Sequence, residues 1–289
     1  MIPRSIAEAI EARLGRRILG AKAVSGGDIN EAAVLELDGG PRVFVKWNPR
    51  APAAMFAAEA RGLAWLADAK ALRIPNVLAV SEPGDAAQFL VLEWIAPGRP
   101  GAGFDERLGR GLAALHRAGA PSFGFEQDNF IGSLPQENAP APTWAEFFAL
   151  RRLDPQVRRA VDGGRASYSM RRAFERLFAR LPDLVGPEEP PARLHGDLWG
   201  GNLHVDEDGE PCLIDPAVYG GHREVDLAMM RLFGGFSERV FAAYAEAYPL
   251  QPGAEQRVSL YQLYPLLVHL NLFGGSYGAS VERALARYV

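Results

Sequence analysis

The spacing of apolar residues divides the chain into a strand-rich first part and a helical remainder. Ile6, Ile10 and Leu14 recur at i, i+4 and i+8, which predicts a short amphipathic helix. Strand-like runs follow at Ile18 to Val24, Ala32 to Leu37 and Val43 to Lys46, punctuated by Gly26-Gly27 and Gly39-Gly40, so hairpins are expected. From Ala53 to Leu66 the pattern places Phe56, Ala60, Leu63 and Leu66 on one face of a helix. Two more strands are predicted at Ile74 to Val80 and Gln88 to Glu93, the second halted by Pro97 and Gly98. Beyond Phe104 the period lengthens, and Leu108, Leu112 and Leu115 form a helical stripe with His116 beside it, read as a packed structural histidine. Residues 123–138 read as a loop rich in Gly, Asn and Pro. Helices are expected from Thr143 through Trp144, Phe147, Phe148 and Leu150, over Ser169 to Leu181, and from near Leu227. Pro187 to Pro191 is a proline-rich linker, and the segments 236–248 and 256–272 are helical with dense aromatics. Strands first and helices after is an α+β arrangement. The change of period predicts two domains, residues 1–94 and 95–289, with the stretch from Glu93 to Gly98 as a hinge.

Composition narrows the class. A chain of 289 residues with 48% hydrophobic and 23% charged residues has ample material for a globular core. A net charge of −4 argues against general nucleic-acid binding, which needs a dominant basic surface, and the Arg151-Arg152, Arg158-Arg159 and Arg171-Arg172 pairs are interrupted by acidic and apolar neighbours. The single cysteine, Cys212, excludes an intrachain disulfide and any multi-cysteine metal site, and its apolar setting predicts inert burial. Residues 1–14 lack a signal-peptide core, and no apolar run is long enough to span a bilayer, so no membrane association and a cytoplasmic location are expected.

Candidate chemistry concentrates in one stretch. His195-Gly196-Asp197-Leu198-Trp199-Gly200-Gly201-Asn202 is followed, after an apolar strand at Cys212-Leu213-Ile214, by Asp215-Pro216. A carboxylate, an amide five residues later and a second carboxylate thirteen residues beyond form the set that phosphoryl transfer in kinases requires. Asp197 would accept the proton of the attacking hydroxyl, and Asn202 and Asp215 would hold magnesium. Lys46 closes a strand in the manner of a lysine that grips nucleotide phosphates, and Glu59, thirteen residues on, is placed on a helix to pair with it. Taken singly, each has an ordinary reading as a solvated charge; their order ahead of the Asp197 stretch favours function. Glycines in the Ser25-Gly26-Gly27-Asp28-Ile29-Asn30 turn would let backbone N–H groups approach a phosphate, although many such turns only reverse the chain. Backbone groups of Glu93 and Ile95 are placed to read an adenine edge. Asp226, at the start of a helix, is expected to hydrogen-bond the backbone of the Asp197 loop. The short gap from Asp215 to Asp226 leaves no room for the long activation segment of protein kinases, which points to a small-molecule acceptor. His269 is either a core residue or one that faces the acceptor.

These residues resemble the fructosamine kinase (ketosamine-3-kinase) family. The resemblance is carried by residues 195–202, by Ile214-Asp215-Pro216-Ala217-Val218-Tyr219, by Arg223 to Met229 and by Leu232 to Phe236. Gly26 to Asn30, Phe44 to Lys46, Phe56 to Ala60, Asp128 to Gly132 and Leu260 to Tyr264 extend it over nearly the whole chain. The tryptophan in Asp197-Leu198-Trp199 is its most discriminating feature, since related aminoglycoside and choline kinases share His-Gly-Asp without it. The resemblance implies a bilobal protein-kinase-like fold: a small antiparallel-sheet lobe with one main helix, a hinge and a larger helical lobe. It implies ATP and Mg²⁺ as cofactors and phosphorylation of the 3-hydroxyl of a ketosamine, after which the unstable product sheds its sugar. Trp199 and His269 are implied to contact the substrate, a small ketosamine or a glycated amine or lysine. A kinase acting on an aminoglycoside or choline-like acceptor is the alternative, followed by a pseudokinase that binds without turnover. A monomer is the expected state, with a dimer as its alternative. Two departures stand out: the turn at Ser25 to Gly27 lacks the cysteine some relatives carry, so redox control there is not expected, and Leu272 beside His269 is less polar than in some relatives.

Overall fold

The computed structural model describes residues 2–24 and 29–289. Its elements run, in chain order, α1 (Arg4–Leu14), β1 (Ile18–Ala23), β2 (Glu31–Leu37), β3 (Val43–Trp47), α2 (Met55–Asp68), β4 (Val77–Val80) and β5 (Phe89–Glu93). Then follow α3 (Phe104–Ala118), β6 (Asn129–Ile131), β7 (Leu134–Gln136), α4 (Trp144–Phe147), α5 (Asp154–Asp162), α6 (Tyr168–Leu184), β8 (Ala192–Leu194), β9 (Leu203–Val205), β10 (Pro211–Leu213) and β11 (Tyr219–Gly221). Five helices complete the chain: α7 (Glu224–Phe233), α8 (Glu238–Ala247), α9 (Ala254–Tyr261), α10 (Leu263–Phe273) and α11 (Tyr277–Leu285).

Two packed units are built from these elements. The first comprises residues 1–104 and 201–217, the second residues 105–200 and 218–289. This differs from a single cut at residue 94, and the hydrogen bonding gives the reason. The β9–β10 hairpin is tied to the chain that leaves β5: the Gly98 N–H donates to Val205 O at 2.9 Å and the Gly101 N–H to Gly209 O at 3.1 Å. On its other side the Leu213 N–H donates to Arg73 O at 3.0 Å, and the Arg73 guanidinium holds buried Asp206 at 2.5 Å.

In the first unit β1, β2, β3, β5 and β4 form one antiparallel sheet in that order. Strand alternation sends Val43, Val45 and Trp47 to the face covered by Ile6 and Ile10 of α1, where Leu35, Phe89 and Val91 join them. The same alternation turns Phe44 and Lys46 to the opposite face, toward α2. One residue of slip in β3 would bury that lysine under α1 with no carboxylate beside it, so the apolar pattern of the sheet fixes where the amine emerges.

The second unit is mainly helical. Thr143 caps α4 by accepting from the Glu146 N–H at 3.3 Å, and Ser167 caps α6 by accepting from the Met170 N–H at 3.1 Å. Between α4 and α5 the residues Phe148–Leu153 form a π-helical turn. The wider turn carries Arg152 into the interior, where its guanidinium stacks on Tyr219 at 3.8 Å and donates to Asn138 Oδ1 at 2.7 Å. Residues 123–138 are more ordered than a loop: β6 and β7 form a hairpin within them, and Asn129 donates to Val218 O at 2.8 Å. Such three-residue strands fall below the length at which alternation is readable. Strand β4 begins at Val77 rather than Ile74, and α7 begins at Glu224, three residues before the expected Leu227.

Candidate active site

In the first unit Lys46 brings three distant segments together. Its Nζ donates to Glu59 Oε1 at 2.5 Å and to Asp215 Oδ1 at 2.6 Å. Lys46 is buried, and burial alone would push its pKa down, but the carboxylates of Asp215 and Glu59 outweigh that and hold the amine above the usual lysine value. The ammonium is therefore permanently charged. Glu59 is nearly enclosed, whereas the Asp215 side chain keeps 45% of its exposure, so of the two carboxylates Asp215 is the one open to a ligand. Asp215 also has φ +55°, one of two non-glycine residues in the left-handed region among the described residues. Aspartate tolerates that conformation better than most, and a strained carboxylate held in place by its surroundings is common where a ligand binds. Buried Asn202 is coupled to it: its amide Nδ2 donates to Asp215 O at 3.3 Å, and its own carbonyl accepts from the Ile214 N–H at 3.1 Å.

Asn202 and Asp215 offer an amide and a carboxylate, hard oxygen donors of the kind magnesium accepts alongside phosphate oxygens and water. One carboxylate already neutralised by a lysine, with a side-chain amide attached to its backbone, fits a cation that arrives with a nucleotide. On the same unit a cavity of about 590 Å³ is bounded by residues 20–24 of the first strand and its end, by Val34 and Glu36, and by Trp94 and Pro97. Trp94, between Glu93 and Ile95, lines it, whereas Glu93 and Ile95 do not. Ile95 is buried, and the Glu93 N–H is already taken by Asn76 O at 2.9 Å. Gly26 and Gly27 lie outside the described residues.

In the second unit Asp197 stands on the loop between β8 and Gly200. That loop is anchored from behind by Asp226 in the first turn of α7. The His195 N–H donates to Asp226 Oδ2 at 2.8 Å and the Gly196 N–H to Oδ1 at 2.9 Å. His116 supports the same carboxylate: its Nε2 lies 3.2 Å from Oδ2, and its Nδ1 lies 2.8 Å from the Tyr244 hydroxyl. Burial would raise the Asp226 pKa, but the hydrogen bond and charge of His116, with His195 and the Gly196 N–H, hold it below the usual carboxylate range. Strand β8 pairs with β11, so the stretch between Asp215 and α7 is a short strand beside the loop.

Trp199 is 41% exposed, and its ring meets Phe233 edge-on at 6.5 Å. Phe233 in turn lies 4.5 Å from the His269 ring, so Trp199 and His269 share one aromatic cluster. The sequence did not mark Phe233 or Tyr277 as members of this cluster, and Phe273 stood out in it only as one of the dense aromatics around His269. Nor did it identify the ion pairs that brace α7: Arg223 to Glu189 at 2.6 Å and Arg257 to Glu224 at 2.6 Å. Their partners are more than thirty residues apart. Only the concentration of aromatics near the C-terminus hinted at the cluster.

Known proteins similar to this chain identify its family. The family model described as fructosamine kinase matches residues 2–289. A probable ketoamine kinase of Enterococcus faecium is 38% identical over 92% of this chain and 94% of its own. The chloroplastic protein-ribulosamine 3-kinase of Arabidopsis thaliana is 40% identical over 92% of this chain and 81% of its own. Among solved structures, a candidate fructosamine-3-kinase from Thermobifida fusca superposes with a TM-score of 0.90 at 39% identity, covering 99% of each chain. An aminoglycoside phosphotransferase superposes with a TM-score of 0.66 at 17% identity, over 98% of this chain and 96% of its own, a likeness of fold alone. On a match that runs essentially from end to end, the chain belongs to the fructosamine kinase family, with the kinase-like fold of its relatives.

Proposed function

We propose that this protein uses ATP to phosphorylate the 3-hydroxyl of ketosamines, the sugar adducts of amines. The observation that carries this reading is the Lys46 ammonium held between Glu59 and Asp215. It is a fixed positive charge beside a carboxylate with room for a metal, the arrangement a nucleotide triphosphate needs. The names of the relatives, ketoamine kinase and ribulosamine 3-kinase, supply the acceptor class.

In this reading Lys46 binds the nucleotide phosphates and Glu59 keeps its amine aimed. Asn202 and Asp215 would hold Mg²⁺, which when bound would offset the charge that moves onto the leaving phosphate oxygens. Asp197 orients the sugar hydroxyl and accepts its proton as the new P–O bond forms. Asp226, gripping two successive N–H groups, fixes the loop that carries Asp197. Residues 1–104 with 201–217 act as the nucleotide-binding unit, and the helical unit supplies the base and the acceptor contacts. The short β11 connection leaves the acceptor side without a peptide-binding segment and favours a small substrate or an exposed glycated lysine.

The test is ADP release measured against fructose-, ribulose- and erythrulose-derived lysine adducts, with hygromycin and choline as controls. Turnover with a ketosamine and none with the controls is expected, and the reverse pattern would overturn the reading. Asp197→Asn should retain nucleotide binding and lose about 10²- to 10⁴-fold in kcat, the range for loss of a general base.

A further inference from the structure

Five side chains from three places in the second unit form a continuous aromatic wall. Trp199 comes from the loop of Asp197, Phe233 from the last position of α7, and His269, Phe273 and Tyr277 from α10 and the start of α11. The His269 ring lies 4.5 Å from Phe233, 5.5 Å from Phe273 and 5.1 Å from Tyr277. Gly274 and Gly275, both with φ above +60°, reverse the chain so that Tyr277 returns beside His269. Phe273 is 52% exposed and Trp199 41%, two of the few large apolar side chains that the protein leaves open. An open aromatic patch that includes a side chain of the loop carrying the proposed catalytic carboxylate, on ends of helices that could have carried polar residues, calls for a ligand.

The polar group within the wall is specific in what it can accept. His269 Nδ1 lies 2.8 Å from Pro265 O, and since a carbonyl only accepts, Nδ1 carries the proton. Burial depresses the pKa of this ring, so it is neutral near pH 7, and its Nε2 is an acceptor that does not repel a cation. Aromatic faces with one neutral acceptor suit an alkylammonium, which offers N–H donors and a positive charge to the π clouds. In a ketosamine the amine joins C1, two carbons from the reacting 3-hydroxyl, and as a secondary alkylamine it is protonated at neutral pH.

Resting on the reaction proposed above, we infer that Phe233, Phe273 and Tyr277, with Trp199 and His269, form a subsite for the secondary ammonium of the substrate and its first methylenes. The subsite discriminates an aminated ketose from a free or O-linked one. Selectivity for glycation adducts then lies in the recognition of the amine, while the sugar hydroxyls set only which adduct is preferred.

The test compares two acceptors that differ in one atom: an N-alkyl-1-amino-1-deoxyfructose and its 1-O-alkyl isostere. Wild-type protein should favour the amine in kcat/KM. Phe273→Leu and Tyr277→Leu, which keep apolar bulk and remove the π face, should each raise the KM for the amine by about 3- to 10-fold, the scale of one cation–π contact. They should shrink the ratio between the acceptors correspondingly, with kcat falling less than twofold. An equal loss for both acceptors, or an unchanged ratio, overturns the inference. Saturation-transfer NMR with N-methylpropylammonium and with methyl propyl ether reads the subsite without turnover. Transfer to the ammonium that vanishes in the double leucine variant supports the subsite even if neither sugar is phosphorylated. In that event the proposed reaction falls by itself, and absent or equal transfer to both probes sinks the subsite.

Discussion

Lys46 shows how a buried ion pair can serve a ligand rather than stability. Taking its amine out of water costs several kcal/mol, which the two carboxylates offset. Truncating it leaves Glu59 enclosed with no counter-charge. We expect Lys46→Ala to lose about 3–5 kcal/mol of unfolding free energy by denaturant titration, and nucleotide affinity with it. The double variant Lys46→Met/Glu59→Gln should regain most of the stability while nucleotide affinity stays low. Recovery of both together would mean the amine has no role with phosphate. This pair was readable in the sequence because strand alternation and helix period place each residue on a defined face. Its third member was readable through the spacing of the Asp197, Asn202 and Asp215 set, since nothing local links position 215 to position 46. The left-handed backbone at Asp215 was not readable at all, because no residue pattern marks a non-glycine position with positive φ.

At the scale of elements, α7 carries the loop of Asp197. The carboxylate of Asp226 occupies the first turn, where the helix dipole favours a negative charge, and it takes two loop N–H groups at once. Asp226→Ala would release both donors and let the loop drift. Misplacement of a reacting group by about 1 Å costs on the order of 10²-fold, so kcat should fall by about that factor while the KM for ATP changes little. A comparable rise in that KM would show that the helix acts elsewhere. The sequence signalled this helix through its apolar stripe and the acidic residue at its start, but placed its beginning three residues late. The true first turn is polar because Arg223 and Glu224 are consumed by Glu189 and Arg257. Apolar periodicity cannot register a helix turn whose burial is ionic.

The whole molecule carries a pH dependence. His222 stacks on Tyr261 at 5.3 Å, accepts weakly from the Glu224 N–H through Nδ1 at 3.4 Å and faces Glu189 at 3.7 Å, with Arg257 and Arg223 nearby. Burial lowers its pKa to about 4. A histidine that is neutral when folded and protonates near pH 6.5 when unfolded makes the unfolded chain bind more protons between those values, so stability falls as pH drops through that window. The full shift amounts to about 3 kcal/mol. As pH falls through the ordinary carboxylate range, Asp226 and Glu189, whose folded pKa values are depressed, add a further loss that is complete once they protonate. Urea midpoints should hold steady above pH 7 and decline from pH 6.5 to 4. In His222→Phe, which keeps the ring stack, that decline should flatten; an identical slope would place the titrating group elsewhere.

The hairpin at 203–213 has a consequence for anyone recombining members of this family. Because the carboxylate facing Lys46 comes from a segment spliced in more than a hundred residues downstream, the N-terminal fragment is not a portable module. A hybrid gene with one crossover near position 104 would join an amine from one parent to a counter-ion from another. A functional swap has to move two stretches of DNA together.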